Sequence, residues 1–315
     1  MLNKKDLRIV FFGTPDFAVA SLKAIIDRGY NVVGVVTAPD KPAGRGYELH
    51  QSAVKKFAVE HHLNVLQPVN LKADDFNLTL SNLNADLQIV IAFRMLPEKV
   101  WNSPPLGTFN LHASYLPNYR GAAPINWAII NGETSTGVTT FFLKHAIDTG
   151  SILLQESTPI LPEDNVGTLH DKLMQQGANL VVKSLDLVLT EDYELQEQAD
   201  GEYKHASKIF TDHCSIDWHK KANEVHNLVR GLSPFPTAFT VVNGKKLKVF
   251  ETEITELDSI QTGAVEIIDK ALLISCADKK IKLLSIQPEG KKRMPAVDYL
   301  NGFRITEPTI AQSSL

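Results

Sequence analysis

Asn110 and His112 stand one residue apart in the stretch FNLHASYLPNYRGAAPINW, residues 109–127. If that stretch opens with a strand end, alternation brings both side chains out on one side. An imidazole can take or give a proton near neutral pH, and a neighbouring carboxamide can donate a hydrogen bond to a developing oxyanion. Further along, AIDTG supplies Asp148 just after an apolar run and beside a glycine. A turn there can return the carboxylate to the same face. Taken singly, each residue has an ordinary use, the histidine as a satisfied structural group and the aspartate as a turn former. Together they form a candidate triad spread over two strand ends.

The elements that must position this triad are legible as short apolar runs. RIVFFG, NVVGVVT, NVLQP, DLQIVIAF and TFNLHA are β-branched segments bounded by Gly, Pro, Asn or Asp, as buried parallel strands are. Amphipathic stretches at 16–28, 52–62 and 72–82 separate the first four. Alternation of this kind predicts βαβ units and an α/β, doubly wound, Rossmann-like sheet, whose ligands bind beyond the carboxyl ends of its strands. A helix near 123–131, a hairpin of GVTTFFLK with SILLQESTPI, and a helix over 166–189 follow. Residues 191–207, EDYELQEQADGEYKHAS, are polar and aperiodic and read as a linker. After one more helix, KANEVHNLVRGL, the pattern turns to short strands, and Asn243-Gly244 between two of them is a hairpin signal. The expected organisation is a domain over 1–190, a linker over 191–207 and a smaller β-rich domain, barrel or sandwich, over 208–315.

Composition bounds the remaining classes. With 43% hydrophobic and 22% charged residues over 315 positions, the chain has the make-up of a globular protein. It has no apolar run long enough to span a bilayer and no signal-peptide core at its start. Cys214 and Cys276 have no framework or metal-ligand spacing and read as small core residues, which fits a reducing, cytoplasmic setting. His61, His62, His145 and His170 also lack partners at metal-ligand spacing, so no metal is expected. Nothing in the sequence demands more than a monomer.

Net charge is −4, with 17 basic and 23 acidic residues up to position 207 and 15 basic and 13 acidic beyond it. The C-terminal cations cluster at Lys245, Lys246 and Lys248, at Lys279, Lys280 and Lys282, and at Lys291, Lys292 and Arg293. They suit either guarded strand edges or a polyanion-binding face. The loop TAPDKPAGRGYELHQSAV, with Lys41 and Arg45, has the same two readings, surface loop or phosphate contact. The first turn, FGTPDFAVASL, lacks the second and third glycines of a dinucleotide fingerprint, so no nicotinamide cofactor is expected there.

The segments NLHASYLPNYRG and Asp148-Thr149-Gly150 together resemble the folate-dependent formyltransferases, whose pattern is Asn-x-His, then Ser-Leu-Leu-Pro and Arg-Gly, then Asp-Thr-Gly. Tyr115 stands where that pattern usually has Leu, and AFRMLP replaces a commoner Tyr-Gly form. The resemblance implies catalytic roles for Asn110, His112 and Asp148. It implies that Arg94, Met95 and Leu96, with the backbone of Ser114, Tyr115, Leu116 and Pro117, surround the pteridine of 10-formyltetrahydrofolate, and that no metal takes part. The loop PDKPAGRG resembles the loop with which the tRNA-directed branch reaches its substrate, and RGLSPFPTAFT with GKKLKVF resembles its C-terminal tRNA-binding domain, which implies an OB-like β-barrel over 208–315. That branch formylates the methionine amine on initiator methionyl-tRNA, which would place Lys41, Arg45, Lys245 and Lys246 on tRNA. A sugar-nucleotide formyl enzyme would keep the triad without any use for tRNA, and a noncatalytic RNA-binding protein would keep only the Rossmann-like shell.

Overall fold

The computed structural model describes residues 3–43, 48–199, 201–302 and 309–313. They form two compact units, Met1–Gly121 with Gly137–Thr158 and His170–His205, and Ala122–Thr136 with Pro159–Leu169 and Ala206–Leu315. Two short internal segments, 122–136 and 159–169, therefore group with the C-terminal part of the chain.

The first unit is built on seven strands: β1 (Arg8–Gly13), β2 (Asn31–Val36), β3 (Val65–Leu66), β4 (Leu87–Ile91), β5 (Thr108–His112), β6 (Ser135–Phe142) and β7 (Ile152–Pro159). Their order in the sheet is β7-β6-β5-β4-β1-β2-β3. The five strands from β5 to β3 run parallel, and β6 pairs antiparallel with β5. From β1 the chain first winds outward to β2 and β3, then returns to the other side of β1 for β4 and β5. The order reverses between β1 and β4, and the strand ends there form the usual ligand crevice of an open α/β sheet.

Local sequence explains the helices. In α1 (Asp16–Asp27), Phe17, Ala18, Ser21, Leu22 and Ile25 make one buried stripe at helical spacing. A Cβ on Gly13 would come within 2.7 Å of Ala18 Cβ, so this glycine serves close packing of helix on strand. The Ser52 hydroxyl caps α2 (Ala53–Glu60) by accepting the Lys55 N–H at 3.0 Å. Helix α3 (Asp74–Asn82) buries Phe76 and Leu80. The long loop between β2 and α2 contains a small antiparallel hairpin, Lys41–Ala43 with Glu48–His50. Further helices are α4 (Pro124–Ile130), α5 (Val166–Thr190) and α6 (Ala222–Leu232).

In the second unit, β8 (Ala238–Val242), β9 (Lys245–Asp258), β10 (Val265–Ile268), β11 (Ala271–Ser275) and β12 (Lys279–Pro288) form an antiparallel sheet in the order β8-β9-β12-β11-β10. Short β13 (Met294–Pro295) pairs with β12. Asn243 and Gly244 have φ of 51° and 70°, and Val242 pairs with Lys245, the two-residue primed turn that their sequence predicts. Leu247, Val249, Leu272, Ile274, Ile281, Leu283 and Ile286 share one core with Val225, Val229 and Leu232 of α6. Cys214 and Cys276 lie buried in that core, and burial, then the Asp278 charge, pushes the Cys276 thiol up to about 12.

Residues 309–312 join the two edges of this sheet into a barrel. Gln312 exchanges both backbone hydrogen bonds with Val241 of β8 at 2.9 Å. Beside β10, Val265 N–H donates to the Thr309 carbonyl at 2.9 Å and Ala311 N–H donates to the Gly263 carbonyl at 2.7 Å. Closure pairs backbone groups on both edges, one of which Ile216 also meets by donating to the Phe239 carbonyl at 2.8 Å. A chain ending after residue 308 loses these four bonds and the buried Ala311, and is expected to lose roughly 2–4 kcal/mol of stability. A lower urea midpoint for the second unit checks this.

Candidate active site

Strand β5 ends at the carboxyl edge of the sheet, one strand away from the crevice between β1 and β4. Alternation along it sends Leu111 to the face covered by α5, where a Cβ on Gly177 would approach Leu111 Cδ2 to 2.7 Å. Asn110 and His112 therefore share the opposite face. Among the described residues the Asn110 carboxamide makes no hydrogen bond, so its N–H groups are available to a ligand.

His112 is only 8% exposed, and both ring nitrogens face protein groups. Nε2 lies 2.8 Å from the Tyr119 carbonyl, which can only accept, so Nε2 carries a proton. Nδ1 lies 3.8 Å from Asp148 Oδ2. That separation is close enough for charge attraction and too long for a hydrogen bond. In the neutral ring Nδ1 then carries no proton, and only the imidazolium has an Nδ1 proton to share with an oxygen entering the site. Asp148 Oδ2 is itself held by the Gly121 N–H at 2.9 Å. The short run Tyr119–Gly121 thus grips the histidine through a carbonyl and the aspartate through an N–H.

Unusual backbone makes this possible. Tyr119 and Asp148 adopt φ of 62° and 55°, in the left-handed region that side chains occupy only when their surroundings impose it. Gly150 lets the Asp148 loop lie directly against β6, since a Cβ there would stand 1.6 Å from the Phe142 carbonyl oxygen. The Gln198 carboxamide fastens the same loop by donating to the carbonyls of Asp148 at 2.9 Å and Gly150 at 2.8 Å.

The turn after β5 is held from β6. The Thr139 hydroxyl donates to the Ser114 carbonyl at 2.7 Å and accepts the Leu116 N–H at 3.2 Å and Gln155 Nε2 at 3.0 Å. Gln155 also donates to the Leu116 carbonyl at 2.8 Å, and the Ser114 hydroxyl donates to the Asn118 carbonyl at 2.7 Å. The Leu116–Pro117 peptide is cis. Ser114 and Leu116 have buried side chains, while Tyr115 is 47% exposed, so the segment turns the Tyr115 ring outward. Following β4, Met95 is 73% exposed, and Leu96 is buried beside Val10, Phe12 and Val90. The Arg94 guanidinium is tied to the carbonyls of Val69 and Pro68.

Of the cations proposed for a polyanion, Lys41 is exposed on the small hairpin opposite His50, and Arg45 lies outside the described residues. Lys245 is exposed beside the Asn243-Gly244 turn, and Lys246 Nζ lies 3.6 Å from the centre of the Phe239 ring. Among the described residues no group of three His, Cys, Asp or Glu side chains could hold a metal. Sequence reasoning missed Tyr119, Gly121, Thr139, Gln155 and Gln198. All five act through backbone groups or on backbone groups, which leave no pattern in side-chain spacing.

The model of the formyl transferase family matches residues 7–185, and that of the formyl transferase C-terminal domain matches residues 208–304. The chain belongs to the formyl transferase family. Methionyl-tRNA formyltransferase of Parabacteroides distasonis is 51% identical over 323 residues, covering 98% of this chain and 100% of the relative. That of Bacteroides fragilis is 49% identical over 317 residues, covering 97% and 98%. Among solved structures, the sugar 3N-formyl transferase WlaRD superposes with a TM-score of 0.67 at 20% identity, covering 91% of this chain and 99% of that one. HypX from Aquifex aeolicus in complex with tetrahydrofolic acid gives 0.64 at 18% identity, covering 93% and 46%. At such identities the likeness establishes a shared formyl transferase fold.

The Gly150 contact gives a direct prediction. Gly150→Ala forces the Asp148 loop off β6 and is expected to cost about 2–3 kcal/mol. Thermal and urea unfolding check it.

Proposed function

We propose that this chain transfers the formyl group of 10-formyltetrahydrofolate to the α-amine of methionine on initiator methionyl-tRNA, in support of translation initiation. The observation that carries the reading is the meeting of His112 and Asp148 at 3.8 Å beside Asn110, whose carboxamide is unengaged among the described residues. The identity of about half over nearly the full length with methionyl-tRNA formyltransferases, C-terminal barrel included, supports the tRNA substrate over a sugar amine.

In this mechanism the neutral amine attacks the formyl carbon, and the carbonyl oxygen gains the negative charge of a tetrahedral intermediate. The reference α-amine titrates near pH 8, so enough of it is neutral for attack close to neutral pH. An Asn110 N–H and the Nδ1 proton of His112 donate to that oxygen. The Asp148 carboxylate balances the imidazolium and accepts the proton lost by the amine, directly or through a water. Collapse breaks the bond from the formyl carbon to N10, which takes a proton as tetrahydrofolate leaves. The new C–N bond leaves the methionine amine formylated.

The remaining assignments follow from this reading. Arg94, Met95, Leu96 and the segment Ser114–Pro117 surround the pteridine, the last through its backbone and the Tyr115 ring. Residues 1–190 carry catalysis, and residues 208–315 bind tRNA, with Lys245 and Lys246 on phosphates. Lys41 and Arg45 reach the acceptor end. The enzyme works as a cytoplasmic monomer without a metal. Among the described residues no helix is long and apolar enough to cross a membrane.

Two outcomes are expected. Asn110→Ala, His112→Ala and Asp148→Ala each slow single-turnover formyl transfer, and loss of the Asn110 donor costs about 3–4 kcal/mol of barrier. A near-normal rate in any of them removes that residue from the mechanism. Replacing Lys245 and Lys246 together by Ala weakens tRNA binding and lowers its salt slope by roughly 1–2. An unchanged slope in a salt titration places phosphate contact elsewhere.

A further inference from the structure

Residues 193–199 and 201–204 strap the catalytic loops of the first unit together. Gln196 exchanges backbone hydrogen bonds with Ile152 at 2.7 and 2.9 Å. The Glu197 carboxylate accepts from Lys144 Nζ at 2.7 and 2.8 Å and from the Ser151 hydroxyl at 2.8 Å. The Lys144 hydrogen bond, then that of Ser151, holds its carboxyl below the usual range. Tyr193 stacks on Phe142 with ring centres 6.2 Å apart. The Lys204 carbonyl accepts the Tyr119 N–H at 2.5 Å, and the Arg120 guanidinium lies over the Tyr203 ring. This stretch, polar and aperiodic in sequence, spans both loops that hold the His112–Asp148 pair.

We propose that Gln198 is a positioning residue for formyl transfer, one carboxamide that locks the two halves of the His112–Asp148 grip to each other. The proposal rests on the catalytic reading of that pair. Both protons of Gln198 Nε2 are used, on the Asp148 and Gly150 carbonyls. Its Oε1 accepts from Arg120 Nε at 3.0 Å and Nη2 at 2.6 Å. Arg120 sits between Tyr119, whose carbonyl holds His112, and Gly121, whose N–H holds Asp148. Gln198 therefore bonds to the Asp148 loop on one side and to the gripping run on the other. It also fixes the left-handed backbone of Asp148, a conformation that requires support from its surroundings.

Only a carboxamide can donate to two carbonyls and accept from a guanidinium fork in one plane. Gln198→Glu keeps the acceptors that Arg120 needs and turns a second oxygen toward the two carbonyls. It thus separates the clamp on Asp148 from simple anchoring of Arg120.

The test measures steady-state formyl transfer to charged initiator tRNA by the full chain carrying Gln198→Glu, Gln198→Met or Asp148→Asn, with circular dichroism of each variant. Both Gln198 variants are expected to lose roughly tenfold to a hundredfold in kcat, with KM for both substrates within about twofold of the parent. The Met variant, similar in shape and uncharged, carries the same expectation should the Glu variant not fold. A parental kcat in the folded Glu variant overturns the proposal, as does a loss carried by KM for tRNA, because the strap would then be a tRNA contact. If Asp148→Asn also turns over at the parental rate, the catalytic reading of the pair fails. If Asp148→Asn is inactive while Gln198→Glu is normal, only the positioning role fails.

Discussion

The hydrogen bond from His112 Nε2 to the Tyr119 carbonyl decides which edge of the imidazole is left for chemistry. A carbonyl cannot donate, so the bond fixes a proton on Nε2 and turns Nδ1 toward Asp148. Much of the local structure serves that orientation. Tyr119 takes a left-handed φ so that its carbonyl reaches back to β5, and Gly121 follows with its N–H on Asp148. Asp148 takes a left-handed φ in turn, and Gly150 allows its loop to close on β6. The 3.8 Å separation that results allows charge attraction without a hydrogen bond. A shorter contact would commit the Nδ1 proton to the carboxylate.

Sheet topology supplies the other half of the arrangement. Parallel strands buried on both faces give a rigid platform whose carboxyl ends lie together, and reversal of strand order beside β1 opens a crevice there. The period of two along β5 then separates roles cleanly. Leu111 packs on α5, while Asn110 and His112 share the opposite face, that of the candidate site. In the second unit, residues 309–312 bridge the two edge strands of the sheet and close it into a barrel.

The parts legible in the sequence were those with a short repeat or a local steric rule. Buried parallel strands left β-branched runs, Asn110-x-His112 followed from strand period, and Asn243-Gly244 announced its turn. The parts that were not legible depend on contacts distant in sequence or on backbone groups. Residues 309–312 gave no strand pattern of their own, because four residues touching two edges need no periodicity. The pairing of Lys41–Ala43 with Glu48–His50 was hidden in a loop punctuated by Gly and Pro. Residues 191–207 read as a linker because their anchors are main-chain bonds, one glutamate and one glutamine, none of which recurs at a fixed spacing. Glycine at 150 was visible as part of a motif, but its reason, a carbonyl where a Cβ would be, emerges only in three dimensions.

If His112 and Asp148 act as one unit, removing either should remove most of what both contribute, and their effects on rate should not multiply. The decisive measurement is the single-turnover rate of formyl transfer for His112→Ala, Asp148→Ala and the combined variant at saturating formyl donor and charged tRNA. The combined variant is predicted to be no slower than the slower single variant within about threefold. Fully multiplicative losses would contradict the shared role and would mean that the two side chains serve separate steps.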